Sequence, residues 1–105
     1  SLDLNYPSFI AFFNANAPSN DSRVTWEFQR TLTNVGEGQP IYTASVTHIE
    51  GFNMSVIPNK LVFKAKNDKL SYKFRIEGPS IESFGYITWT DMKHVVRSPI
   101  IVTAL

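Results

Sequence analysis

Few side chains in this sequence could do chemistry. His48 and His94 are the two imidazoles in 105 residues, and a nucleophilic triad needs such a base within hydrogen-bond reach of a nucleophile, with a third group orienting it. Asp91, His94 and Ser98 lie close enough in sequence to invite that reading. Against it, three residues on one hairpin converge poorly, and the strained elbow that presents a catalytic serine has no counterpart here. Asp91 is expected to accept backbone hydrogen bonds in a turn. His48, just before Glu50-Gly51 at a strand end, is expected to be solvated or locally bonded.

Metal and sugar chemistry find as little footing. Two histidines far apart, with no HExxH, no cysteine pair and no calcium-loop spacing, supply no ligand set. Glu27, Glu77 and Glu82 are isolated carboxylates alternating with apolar neighbours, as solvated strand positions do, and not the facing pair that glycoside hydrolysis uses. Gly36-Glu37-Gly38 lacks the following helix that a phosphate loop requires. The expectation is a chain that is not catalytic by itself and takes no cofactor and no metal.

Composition narrows the class further. The length fits a single domain, residues 1–105, able to bury a core without a covalent staple. No cysteine is present, so disulfides, zinc thiolates and thiol nucleophiles are out, while a secreted origin is not. Charged residues make up 18% and the net charge is +1, which leaves no basic stripe for a phosphate backbone and makes nucleic acid an unexpected partner. No apolar run approaches the roughly 18 residues of a membrane helix, and no signal segment opens the chain, so no membrane partner is expected. The start at Ser1, within what reads as ordered sequence, suggests a piece of something larger.

The elements that must position these residues all read as strands. Phe84 to Val102 forms two of them around the polar break Asp91-Met92-Lys93, pairing antiparallel, with Gly85, Ile87 and Trp89 on one face of the first. Trp89 is expected to anchor the core. Ser8 to Phe13 is a short apolar run after Pro7, suited to an edge strand, whose inward side alternation does not decide. Val24, Trp26, Phe28 and Leu32 share a parity, which Arg30 interrupts; a bulge, or a strand leaving the core halfway, would carry that charge to water. Ile41 to Ile49, then Phe52-Met54-Val56, Leu61-Phe63 and Leu70-Tyr72-Phe74-Ile76 complete the series. Turns fall at Asn34 to Pro40, with two glycines available for positive φ, at Pro58-Asn59, at Lys64 to Lys69 and at Gly78-Pro79-Ser80. About eight runs at roughly 8–12-residue spacing, with no helical period, are the signature of a β-sandwich or barrel, and single apolar faces favour the two-sheet sandwich.

Two tripeptides, Asn20-Asp21-Ser22 and Asn53-Met54-Ser55, are N-glycosylation acceptors if the protein is secreted. Asn20 sits in a polar loop, and Asn53 has the parity opposite Phe52 and Met54, hence outward.

Several segments in order carry a family resemblance: Leu4-Asn5-Tyr6-Pro7-Ser8, Arg30 to Gly36, Val56-Ile57-Pro58 with Leu61-Val62-Phe63, and Ile87 to Asp91 running on to His94 to Ile100. Together, over nearly the whole chain, they resemble the C-terminal fibronectin type III-like domain of plant subtilases, the cucumisin-like serine proteases. Met92 stands where that family usually has glycine, which bears on the turn type. The resemblance implies an all-β, fibronectin type III-like antiparallel β-sandwich of about seven to eight strands. It further implies a secreted glycoprotein of the plant apoplast or cell wall, whose parent enzyme holds its Asp-His-Ser triad outside this chain. The partner would be the catalytic domain of the same protease, covalently continuous or as a cleaved fragment. Contact candidates are Tyr6 and Pro7 at the entry, Asn34, Val35 and Gly36 in the turn, and Arg97 and Pro99 on the last strand. The competing expectation is an independent extracellular binding or adhesion module using exposed aromatics such as Tyr86.

Overall fold

A computed structural model describes residues 2–4, 8–15 and 23–105. Among them nine strands form: β1 Leu2–Leu4, β2 Phe9–Phe13, β3 Val24–Asn34, β4 Ile41–Val46, β5 Asn53–Ile57, β6 Lys60–Val62, β7 Lys69–Gly78, β8 Ser83–Thr90 and β9 Val95–Ala104. They make two sheets, β1-β3-β7-β5 and β2-β9-β8-β4-β6. The expected sandwich is therefore present. One pairing departs from the antiparallel pattern: β2 lies parallel to β9, from Phe9 beside Ile100 to Phe13 beside Ala104.

Alternation decides what each strand buries. Phe9, Ala11 and Phe13 of β2 face the core, which resolves the side left open by the run of apolar residues, and Ile10 and Phe12 face out. Trp26, Phe28 and Leu32 of β3 meet Tyr72, Phe74 and Ile76 of β7 on the inner face. Trp89 is fully buried, its ring edge-on to Tyr72 at 5.0 Å. β4 ends at Val46, short of the expected Ile49. Past that point Gly51, at φ 87°, turns the chain while the Phe52 amide donates to the Ile49 carbonyl at 3.0 Å, and the chain crosses to the other sheet. Phe63 is buried but lies beyond β6, its amide donating to the Pro40 carbonyl.

Arg30 corrects the expectation of a bulge. The β3–β7 register runs unbroken from Val24 opposite Gly78 to Thr33 opposite Lys69, so the strand neither bulges nor leaves the sheet. Arg30 keeps the inward parity at the margin of the sandwich, where its guanidinium lies 4.7 Å from the Phe9 ring centre and 5.3 Å from that of Phe28. Its Nη2 donates to the Ser8 carbonyl at 3.2 Å, and Trp26 Nε1 donates to the Phe12 carbonyl at 3.0 Å. The Phe13 carbonyl points to β9, where the Leu105 amide meets it. By alternation the Ser8 and Phe12 carbonyls point away from β9. Two side chains of the opposite sheet thus cover the open edge of β2.

Packing around Trp89 and Gly78 leaves no slack. A Cβ on Gly78 would stand 2.2 Å from the Phe52 ring, which lies directly across that backbone. We expect Trp89→Ala to lower stability by about 3–5 kcal/mol and Gly78→Ala to lower it by about 1–3 kcal/mol through overpacking, both read from urea denaturation midpoints.

Candidate functional site

The Asp91–His94 pair exists, but as part of a turn. The Asp91 carboxylate accepts hydrogen bonds from the Lys93 amide at 2.7 Å, from the His94 amide, and from His94 Nδ1 at 3.1 Å, and the Asp91 amide donates to the His94 carbonyl. This side-chain closure makes the turn without a positive φ at Met92, a conformation that among the described non-glycine residues falls to Asn67 at φ 72°. Partial burial acts to raise the Asp91 carboxyl. The donors from His94 and Lys93 outweigh it, and the group is held down at about 2. Burial first, and then the charge of Asp91, push the Tyr42 phenol up to about 12. Ser98 faces the core at 1% exposure, opposite Ile87, so a substrate carbonyl has no path to its hydroxyl. His48 is an exposed ring 3.4 Å from Glu50. Among the described residues no group of three His, Cys, Asp or Glu side chains is placed to hold a metal ion.

What the fold does assemble is a surface. On the outside of the five-stranded sheet, Phe84 of β8 faces Ile101 of β9, Tyr86 faces Pro99, and Ile10 of β2 adjoins Ile101 from the other side. Phe84 is 56% exposed, Phe12 49% and Ile10 42%. The Phe84 ring stands edge-on to Tyr86 at 5.1 Å, and the Arg97 guanidinium covers Tyr86 at 5.1 Å. Three adjacent strands thereby present one apolar row, rimmed by a cation. The outside of the four-stranded sheet is the opposite in character. There Glu27 pairs with Arg75 at 3.6 Å, Arg23 with Glu77 at 2.7 Å, and Thr31 and Ser71 share a hydrogen bond at 2.9 Å. The Arg23 and then the Asn53 hydrogen bonds hold the Glu77 carboxyl below its ordinary range.

The sequence-derived contact residues separate on this map. Arg97 and Pro99 fall on the apolar face. Asn34, Val35 and Gly36 lie at the end of β3 on the other sheet. Asn34 is fully buried and used internally: its Nδ2 donates to the Ala65 carbonyl at 3.1 Å, its Oδ1 accepts from the Gly36 amide at 3.1 Å, and its carbonyl accepts from the Asn67 amide at 2.6 Å. Its side chain builds the turn and is not on the surface, and Gly38, not Gly36, takes the positive φ. Val35 is exposed at 44%. Asn53 is exposed on β5, as its parity required. Tyr6, Pro7 and Asn20 lie outside the described residues. The sequence reading missed Ile10, Phe12, Phe84 and Ile101. A signal was there: Phe84 is a large aromatic on the outward parity of the strand whose inward parity is Gly85, Ile87 and Trp89.

Two sheets packed face to face, with an apolar row on the outside of one of them, define the class as an all-β sandwich domain. The chain belongs to the fibronectin type III domain family, whose model matches residues 3–102. Its relatives are plant proteases. A "Subtilisin-like protease SBT3" of Solanum lycopersicum is 42% identical over all of this chain, which covers 14% of that protein. A "CO(2)-response secreted protease" of Arabidopsis thaliana is 38% identical over 96% of the chain, which covers 13% of that protein. The chain thus spans about one seventh of the length of the relatives it matches and is similar to a fibronectin type III part of plant subtilisin-like proteases. A solved structure of WR4, a C. elegans MSP family member, covers 96% of both chains with a TM-score of 0.62 at 12% identity, a likeness of fold alone.

The Asp91 turn gives a pH test. A carboxyl held below its ordinary 3.8 contributes stability that is fully present above that value and is lost as pH falls through about 2. Asp91→Asn should cost about 1–3 kcal/mol at pH 7, and the difference in urea midpoint between wild type and variant should close between about pH 4 and pH 2.

Proposed function

We propose that this chain is the accessory domain of a secreted subtilisin-like serine endopeptidase, acting outside the plant cell. It carries no part of the triad. Its work is to pack the outer face of the five-stranded sheet against the catalytic domain of the same polypeptide and so to stabilise the active enzyme. The observation that carries this reading is the outward row of exposed Ile10 and Phe84 joined by half-buried Ile101, with Tyr86, Pro99 and Arg97 beside it. Such a patch, rimmed by polar groups, is what a packed neighbour covers. Kinship with proteases far longer than this chain supports a continuous partner. Anything that binds the folded state in preference to the unfolded state stabilises it, so a domain with no chemistry of its own can still control enzyme yield.

The double substitution Ile10→Thr/Phe84→Thr tests the reading in the full-length protease. Both side chains are solvent-exposed in this domain and threonine suits a strand, so the isolated chain should melt within a few degrees of wild type. The full-length enzyme should lose secreted yield and thermal half-life of peptide hydrolysis several-fold. Unchanged secretion, half-life and activity would overturn the proposal. A specific saturable glycan or peptide ligand for the isolated chain, with the protease unaffected, would favour the adhesion module.

A further inference from the structure

We infer that Asn53 is an N-glycosylation site and that its glycan shields the open edge of the four-stranded sheet. Asn53-Met54-Ser55 is an acceptor tripeptide. The alternation of β5 directs Asn53, Ser55 and Ile57 to solvent and Met54 and Val56 inward, so both residues that define the acceptor lie on the accessible side. Asn53 Nδ2 donates to Glu77 Oε1 at 3.3 Å. Nδ2 carries two hydrogens, and a sugar replaces one, so the contact with Glu77 and the modification are compatible.

The transfer is a substitution at an anomeric carbon. Nδ2 attacks C1 of the terminal N-acetylglucosamine of a lipid diphosphate-linked oligosaccharide; the N–C1 bond forms, the bond from C1 to the diphosphate oxygen breaks, the lipid diphosphate leaves and the amide loses one proton.

The position of β5 gives the glycan a task. β5 is the last strand of its sheet, hydrogen-bonded to β7 on one side only. Its residues Asn53 to Ile57 include no charge and no proline, and Ile57 is 67% exposed. That composition leaves an edge open to the addition of a foreign strand. The two edges of the five-stranded sheet, β2 and β6, are protected in the chain itself. β2 has Trp26 and Arg30 on its outward carbonyls, and β6 is short and begins with Lys60. On β5 the bulk of a glycan rooted at Asn53 supplies the missing exclusion. The same placement leaves the apolar face on the other sheet free for its partner. For the natural protein the inference rests on the secreted destination proposed above.

To separate the two, the protein is expressed in eukaryotic cells behind a heterologous signal sequence, in an Asn20→Gln background that removes the other acceptor. Mass spectrometry should find a glycosidase-sensitive mass on the Asn53 peptide, absent when Ser55→Ala or Asn53→Gln is added. Both variants should melt close to the parent and self-associate at several-fold lower concentration by light scattering. An unmodified Asn53 peptide in the secreted protein would overturn the site. A glycan whose loss in both variants leaves self-association unchanged would overturn its shielding role.

Discussion

The two sheets are held together by a line of rings that alternate in origin. Phe9 from the five-stranded sheet sits edge-on between Phe28 at 5.3 Å and Phe74 at 5.0 Å from the four-stranded sheet, and Trp89 from the first meets Tyr72 from the second at 5.0 Å. Each ring buries a large area and leaves little freedom in how its neighbours pack, so the spacing and relative shift of the sheets follow from these contacts. Tyr42 and Phe63, both on the five-stranded side, add a separate edge-on pair at 6.1 Å. Everything on the outer faces is placed by this inner layer.

Because the inner layer completes the core, the outer faces are free to differ, and they do. One is a mesh of ion pairs and hydroxyls that water tolerates. The other carries phenylalanine and isoleucine that the core does not need, since Phe84 and Ile10 add nothing to the interior they turn away from. Such residues make the kind of exposed apolar patch that a packed neighbour can cover. The edges show the same division. Arg30, which looks out of place on an inward parity, is stacked on two rings and bonded to an outward carbonyl of β2. A residue that breaks the hydrophobic pattern is here part of the device that closes a strand edge.

The Asp91–His94 pair shows how catalytic appearance arises from turn chemistry. A carboxylate that accepts two backbone amides and an imidazole is held well below its usual range, the kind of perturbation that marks many active sites. Here the nucleophile is missing from reach, because Ser98 points into the core. The perturbation is explained by the hairpin turn it closes.

By itself the sequence determined the kind of element and the side each residue takes. A period of two over Val24 to Leu32, Leu70 to Ile76 and Gly85 to Trp89 is a local property of a pleated backbone, and so the all-β class, the burial of Trp89 and the outward setting of Asn53 were legible without coordinates. Single apolar faces favoured the two-sheet sandwich, and the ordered family segments pointed to its fibronectin type III form. What alternation cannot carry is which strand lies beside which. Only the tertiary structure decided that β2 runs parallel to β9 and that Ile10, Ile101 and Phe84 form one row. It also decided that Asn34 is enclosed by the 65–68 loop and that Arg30 finds its place without a bulge. Those outcomes depend on pairings between residues tens of positions apart, and a local repeat holds no information about them.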